Sequence, residues 1–373
     1  MRVVQVADAE KSAERVIEEA LQSWCQTANV RTGPVTNFFL FQQQKNNSPS
    51  DGNGSRGRDA ATISGDWLAI SAHHMAIDPV SLQIVAEDLL LAYQFGQLPE
   101  SEATDYAVLA ESLRKHASSE NCLATADRWL QTAAQEIPLP SFFANTTTDH
   151  SSDDLVGQAK TLETVVENIA WPTSDVPTSM WANASQLLAA LGIAYRHWCG
   201  LDRLRVDIER TGRDLEIPGI IAGRTVGWLV SMFPFDIQVG STADVDISEL
   251  SASILNELEQ VQNEGHGFEL LRAYGPESVR ARLLDLQPPL IRFNYLGKIA
   301  DDEELPIEVQ HQLSGNSRAE NLHRQHAIEL DIEKIGTGLK VRWTYNANKI
   351  PSEQIESLAA AYAQELGRRK TAR

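Results

Sequence analysis

The stretch His73-His74-Met75-Ala76-Ile77-Asp78-Pro79-Val80-Ser81 stands at a change of period and decides how the chain is read. Before it, Trp67 to His74 alternates like a strand, with Leu68, Ile70, Ala72 and His74 on one face and Trp67, Ala69, Ser71 and His73 on the other. After it, Leu82, Val85, Ala86, Leu89, Leu90 and Tyr93 recur at helical spacing. Asp78 followed by Pro79 has the pattern of an N-cap and a first-turn proline. The paired histidines therefore sit where a strand gives way to a helix, whose N-terminus presents free N–H groups. Histidine titrates near neutral pH, so one placed at a cleft can take or give a proton. Parity sets His74 with the inward apolar positions and leaves His73 as its supporting neighbour. The same residues also read as a plain helix start beside a hydrogen-bonded core histidine. A metal site fits poorly, because neighbouring strand residues point apart and no third ligand lies at useful spacing.

Working outward, Val3, Val4 and Val6 read as a short strand. Ala13, Val16, Ile17, Ala20, Leu21 and Trp24 read as a helix, and Phe38 to Phe41 as a second strand. Residues 45–58 are polar and glycine-rich and read as a mobile loop. Residues 139–180, rich in Pro, Ser, Thr and Asp, read as the passage between two lobes, placed at 1–155 and 156–373. Beyond it, Leu187, Leu188, Leu191 and Ala194 predict a helix, and Leu204, Val206 and Ile208 a strand. Val226 to Ile237 is an apolar strand region containing Pro234. Leu339, Val341, Trp343 and Tyr345 alternate with polar residues as a half-buried strand. Ser352 then stands where it can cap a last helix that packs Ile355, Leu358, Ala359, Tyr362 and Leu366. Two α/β (α+β) lobes follow from this order.

Two further constellations can carry chemistry. Glu209, in Asp-Ile-Glu-Arg-Thr-Gly-Arg-Asp (207–214), shares strand parity with Arg205 and Asp207, opposite Leu204, Val206 and Ile208. Taken alone, that is the polar face of a strand. Phe293-Asn294-Tyr295-Leu296-Gly297 embeds an amide and a phenol among apolar residues, and both need partners if buried. It reads equally as a core turn and as a site loop.

Bulk properties bound the function. The 373 residues are 42% hydrophobic and 22% charged, an ordinary composition at a length that normally divides in two. No run approaches the roughly 20 apolar residues of a membrane span. Asp8, Glu10 and Glu14 at the start do not make a signal peptide. Cys25, Cys122 and Cys199 form no metal or redox spacing, and a reduced, cytoplasmic setting is expected. A formal charge of −19 opposes nucleic-acid binding, and Arg272, Arg280 and Arg282 read as solvated surface.

The quoted stretch matches the His-His-x-x-x-Asp-x-x-Ser signature of condensation and epimerisation domains of nonribosomal peptide synthetases, a signature shared with acyltransferases of the chloramphenicol acetyltransferase type. Leu187-Leu188-Ala189-Ala190-Leu191-Gly192 resembles the family's Leu-Leu-x-Ala-x-Gly helix. Glu209-Arg210-Thr211-Gly212-Arg213-Asp214 resembles the Glu-Gly-His-Gly-Arg-Glu motif of epimerisation domains. Arg224-Thr225-Val226-Gly227-Trp228-Leu229 with Phe233-Pro234 resembles Arg-Thr-Val-Gly-Trp-Phe…Tyr-Pro. Gly265-His266-Gly267-Phe268 is similar to Gly-x-Gly-Tyr, and Phe293 to Gly297 matches Phe-Asn-Tyr-Leu-Gly. The Glu209 and Asn-Tyr-Leu-Gly segments favour epimerisation over condensation. Departures are Pro79 for a glycine, Leu82 for a tryptophan, Arg210 for a glycine and Thr211 for a histidine.

The resemblance implies two chloramphenicol acetyltransferase-like lobes with mixed sheets, flanking helices and an active-site tunnel between them. It implies a thiolation carrier protein as partner, presenting an aminoacyl or peptidyl thioester on phosphopantetheine, with neighbouring synthetase domains beside it. It implies no metal, cofactor, nucleic acid or membrane bound by the domain itself. His74 and Glu209 match the proton-handling residues; His73, Asp78, Ser81, Asn294 and Tyr295 would support them, with Asn294 and Tyr295 orienting the thioester or enolate and Asp78 holding its loop. The family's opening segment with its Pro-Ile-Gln-like motif is missing before Val3, so the N-terminal lobe is expected to be incomplete. A condensation domain and a non-catalytic carrier-docking domain are the alternatives.

Overall fold

The alternating and helical periods become strands and helices in the computed structural model, which describes residues 2–6, 13–43, 66–98, 100, 102–141, 154–167, 169, 180–214, 217–240, 245–263, 267–286, 288–298 and 318–367. The expected loop at 45–58 lies outside the described residues, as do much of the 139–180 passage and Gly265-His266. The chain divides into two compact units. One takes Met1–Pro99, Val226–Trp228 and Asp302–Ala319; the other takes Glu100–Thr225, Leu229–Asp301 and Glu320–Arg373. The helical stretch after Glu100 thus packs with the second unit, whereas the sequence boundary at 155 assigns it to the first lobe.

In the first unit, β1 (Arg2–Val6), α1 (Ala13–Thr27), β2 (Thr36–Gln43), β3 (Trp67–Ala72) and α2 (Pro79–Phe95) follow in order. β1 runs parallel to β2, as a helical crossover requires, and β2 pairs antiparallel with β3. Ile17 and Trp24 of α1 pack on Phe39 and Phe41 of β2, with Trp67 and Ala69 of β3 against them. Register explains this choice of face: Phe39 stands opposite Ala69 and Phe41 opposite Trp67. The core-facing set of β3 is therefore Trp67 and Ala69, not the Leu68 set expected from the sequence, and Leu68 is 50% exposed.

The second unit is built on a six-stranded mixed sheet of order β4-β9-β8-β7-β5-β6, with β4 (Ala159–Val166), β5 (Arg203–Thr211), β6 (Val230–Gln238), β7 (Ile291–Lys298), β8 (Ile328–Ile335) and β9 (Gly338–Asn346). β5, β7 and β8 are mutually parallel; the other pairings are antiparallel. Its helices are α3 (Tyr106–His116), α4 (Glu120–Ala124), α5 (Ala126–Ala134), α6 (Met180–Cys199), α7 (Ile247–Asn263), α8 (Gly267–Tyr274), α9 (Glu277–Leu284) and α10 (Ser352–Gly367). Pro234 is tolerated because β6 is an edge strand. Ser352 is the first residue of α10 rather than its cap, and its hydroxyl accepts from Tyr345 Oη at 3.0 Å.

The sheet has one apolar and one charged face. Ile208, Phe293, Leu330 and Trp343 are register partners across four strands, all buried in one core with α6 and α10. Trp343 meets Tyr362 of α10 edge to face, with ring centroids 5.5 Å apart. Gly192 of α6 lets that helix approach β6 closely, since a Cβ there would lie 2.7 Å from Ile237 Cγ2. Strand alternation then sends the intervening residues, Asp207, Glu209, Arg292, Asn294, Glu329 and Asp331, to the opposite face. Among the described residues no helix is long and apolar enough to cross a membrane.

Candidate active site

The histidine turn is made by short-range bonds. β3 ends at Ala72, so strand parity does not extend to His73 and His74, which begin the turn into α2. His73 N donates to Val35 O, and His73 Nδ1 accepts from Met75 N at 3.2 Å. His74 Nδ1 lies 3.1 Å from Ile77 O. A carbonyl only accepts, so that bond assigns the proton to Nδ1 and leaves Nε2 as the proton-accepting nitrogen of the neutral ring. His74 is exposed, with the Trp228 ring 6.4 Å away between centroids.

Beneath it the structure is closed. Asp78 is 2% exposed and caps α2, accepting from Ser81 N at 2.7 Å ahead of Pro79. Ser81 Oγ donates to Gly227 O at 2.9 Å and accepts from Gly227 N at 3.0 Å, while Asp78 N also donates to Gly227 O. One hydroxyl thus ties the helix start to the segment carrying Trp228. Asp78 and Ser81 hold the turn, and His74 is the exposed histidine of the pair, with His73 half-buried.

In the second unit, Glu209 belongs to a register-built array. Asp207, Arg292 and Glu329 form one row across β5, β7 and β8; Glu209, Asn294 and Asp331 form the next. Arg292 Nη1 donates to Glu209 Oε2 at 2.6 Å, and its Nη2 to Asp331 Oδ1 and Oδ2 at 2.9 and 3.1 Å. Burial works against the Arg292 charge, but Asp331, Glu209 and Glu329 outweigh it and hold the pKa above the ordinary guanidinium value. Asn294 Nδ2 donates to Glu209 Oε1 at 3.4 Å and to Asp331 Oδ1 at 3.3 Å. His326 Nε2 lies 2.7 Å from Asp207 Oδ2, and Arg324 pairs with Glu329 and Asp154.

Asn294 and Tyr295 do not act together on this surface. They are neighbours on a strand and point to opposite faces. Tyr295 lies in the core beside α6, where its hydroxyl hydrogen-bonds the Asn183 side chain and burial raises its pKa. The Asn294 amide hydrogens are directed at two carboxylates, Glu209 and Asp331. Gly297 follows at a register shift with φ +69°, the backbone form that favours glycine. In the Glu209 motif, Arg210 pairs with Asp214 and lies over the Trp181 ring, 5.1 Å from its centroid.

Sequence reading missed Arg292, Glu329 and Asp331. Their signal was present as alternation: Arg292 and Asn294 share one parity of β7, and Ile-Glu-Leu-Asp-Ile-Glu (328–333) alternates strictly. Among the described residues no group of three or more His, Cys, Asp or Glu is arranged to hold a metal.

A family model described as Condensation domain matches residues 60–368. The chain belongs to the condensation-domain family. It is 31% identical over 315 residues to a linear gramicidin synthase of Brevibacillus parabrevis, covering 80% of this chain and 6% of that protein. It is 28% identical over 367 residues to a mycosubtilin synthase of Bacillus subtilis, covering 94% and 13%. The chain thus spans a small part of these synthetases. Among solved structures, the epimerization domain from the third module of tyrocidine synthetase B superposes with a TM-score of 0.76 at 21% identity, covering 98% of this chain and 78% of that one. A starter condensation domain of rhizomide synthetase gives 0.62 at 15% identity, covering 98% and 76%. The fold is that of condensation and epimerisation domains, the chloramphenicol acetyltransferase-like class expected from the motifs.

Proposed function

We propose that this chain is an epimerisation domain, inverting the Cα of an aminoacyl or peptidyl thioester held on the phosphopantetheine arm of a carrier protein. The observation that carries the reading is the Glu209 carboxylate set beside the Asn294 amide, in the two segments that resemble epimerisation motifs. A thioester acidifies its α-hydrogen enough for a side-chain base to remove it. One group takes the Cα proton while the C–H electron pair moves into the enolate, and a second group returns a proton to the opposite face. Glu209 and His74 Nε2 are assigned these two positions, with Asn294 and Arg292 orienting Glu209 and with Asp78 and Ser81 holding the His74 turn. The carrier and adjoining synthetase domains are the partners in this scheme, and the domain contributes no cofactor of its own.

The test is incubation with a loaded L-aminoacyl or L-peptidyl carrier in heavy water, followed by cleavage and chiral resolution. Deuterium at Cα and D-isomer are expected, and His74→Ala or Glu209→Gln should each lower formation of the D-isomer by about 10²–10⁴-fold. A verified loaded carrier that gains neither deuterium nor D-isomer overturns the reading. Peptide-bond formation is the second reading, favoured by the matched condensation model and by the His74 turn, which either chemistry can use. A two-carrier assay yielding a new amide without Cα exchange would select it.

A further inference from the structure

We propose that Arg292 is a positioning residue for Glu209, a fork that fixes the carboxylate through Oε2 and leaves Oε1 to the long Asn294 contact. The catalytic consequence rests on the epimerase reading; the geometry does not. Asp207, Glu209, Glu329 and Asp331 occupy neighbouring register positions on three parallel strands. Like charges this close repel. His326 lies against Asp207, and Arg324 answers Glu329 together with Asp154. Glu269 of α8 is a further acid on this side, hydrogen-bonded to Ser231 and to the Met232 backbone and close enough to feel the Asp207 charge. Arg292 is the cation paired with Glu209 among the described residues, and its Nη2 is also 3.6 Å from Glu329.

A guanidinium presents its donors in a rigid planar fork, so its two ends hold two strands' carboxylates at a fixed spacing. Here one end binds Glu209 on β5 and the other binds Asp331 on β8, with β7 supplying the arginine between them. The two Glu209 oxygens are left unequal. Oε2 is engaged by a charge-assisted bond at 2.6 Å, whereas Oε1 has a long amide contact at 3.4 Å. Oε1 is therefore the oxygen presented to a substrate proton. A lysine keeps the charge but cannot fork across two strands.

The experiment follows Cα exchange in heavy water from L- and from D-loaded carrier for the unaltered chain, Arg292→Gln, Arg292→Lys, Glu209→Gln and the Arg292→Gln/Glu209→Gln double variant. Arg292→Gln should lower kcat by about 10–100-fold, the scale of a misplaced catalytic group, and only for the isomer whose exchange fails in Glu209→Gln. KM for the loaded carrier should stay unchanged, Arg292→Lys should recover part of the rate, and the double variant should lose no more than Glu209→Gln alone. Equal slowing of both isomers, or losses that multiply in the double variant, would overturn the proposal. If Arg292→Gln does not fold, the same comparison is made with Arg292→Lys. If the unaltered chain exchanges neither isomer, the epimerase reading fails, and the pairing is read from urea midpoints. The Arg292→Gln shift should then be partly relieved by Glu209→Gln, and additive shifts would refute the pairing.

Discussion

The His74 turn and the Glu209 sheet face carry the two proposed proton-handling groups, and they are built in opposite ways. The turn is local: His74, Ile77, Asp78 and Ser81 bond within eight residues, and one distant anchor, Gly227, closes it. The sheet face is long-range: Glu209, Arg292, Asn294 and Asp331 meet through strand register alone. The turn leaves its histidine exposed over a buried cap, whereas the sheet holds its glutamate in a half-buried set of charges. A local device fails when one bond is cut; a register-built device shares its load among many groups. Each variant below is aimed at that difference.

The largest effect is expected at the anchor of the turn. Ser81 is fully buried and its hydroxyl serves both the N–H and the C=O of Gly227. Ser81→Ala leaves the N–H without that acceptor and the C=O with Asp78 N in place of two donors. The unsatisfied N–H costs about 1–3 kcal/mol and the lost bond to the C=O about 0.5–1.5 kcal/mol more, so a loss of roughly 2–4 kcal/mol in urea unfolding is expected, together with slower Cα exchange. A loss under about 0.5 kcal/mol would show that the turn does not depend on this one hydroxyl.

This difference also decided what the sequence could disclose. Asp78-Pro79 announces the start of α2 because capping is a property of adjacent residues. The strands of the second unit were legible where one face is buried, as for Val206 and Ile208 or for Leu339 to Tyr345. Parity failed at His74 because the strand stops at Ala72, and the inward face of β3 was misassigned because Phe39 and Phe41 on β2 decide it. Arg292 and Asp331 could not be placed beside Glu209 because β5, β7 and β8 are joined by long crossovers whose register no local pattern states. The Phe-Asn-Tyr-Leu-Gly motif lies on β7, and only alternation separates Asn294 on the charged face from Tyr295 in the core.

The charged face should also leave a pH signature through Glu269. Burial pushes the Glu269 carboxyl up to about 7, with the Asp207 charge adding to the rise, against hydrogen bonds from Met232 and Ser231 and the charge of Arg272. An acid whose pKa is raised from an ordinary 4.5 binds its proton more tightly folded than unfolded. Its contribution is therefore full below about pH 4.5 and is lost as pH rises towards 7. Glu269→Gln removes that loss. Between pH 5 and 7.5 the unaltered chain should fall in stability by roughly 1–3 kcal/mol more than the variant, measured by urea midpoints. Parallel curves would mean that burial in the folded chain does not raise the Glu269 pKa.

The smallest effect is expected at the far end of the same row of side chains. Glu209, Asn294, Asp331, Arg342 and Glu163 are successive register partners across β5, β7, β8, β9 and β4. Arg342 Nε donates to Glu163 Oε1 at 2.9 Å, much as Arg292 donates to Glu209, and that bond, with Lys340 nearby, holds the Glu163 carboxyl below its ordinary pKa. The chemistry is alike and the setting is not: both partners of the edge pair are exposed, at 40% and 46%. Exposed pairs are screened within about 8 Å at physiological salt and contribute little. Glu163→Gln should therefore shift stability by less than about 0.5 kcal/mol and leave exchange untouched. A shift above about 1 kcal/mol would mean that the row behaves as one unit from edge to centre. The special standing of the Arg292–Glu209 end depends on that not being so, because only a covered ion pair can hold one carboxylate in a fixed direction.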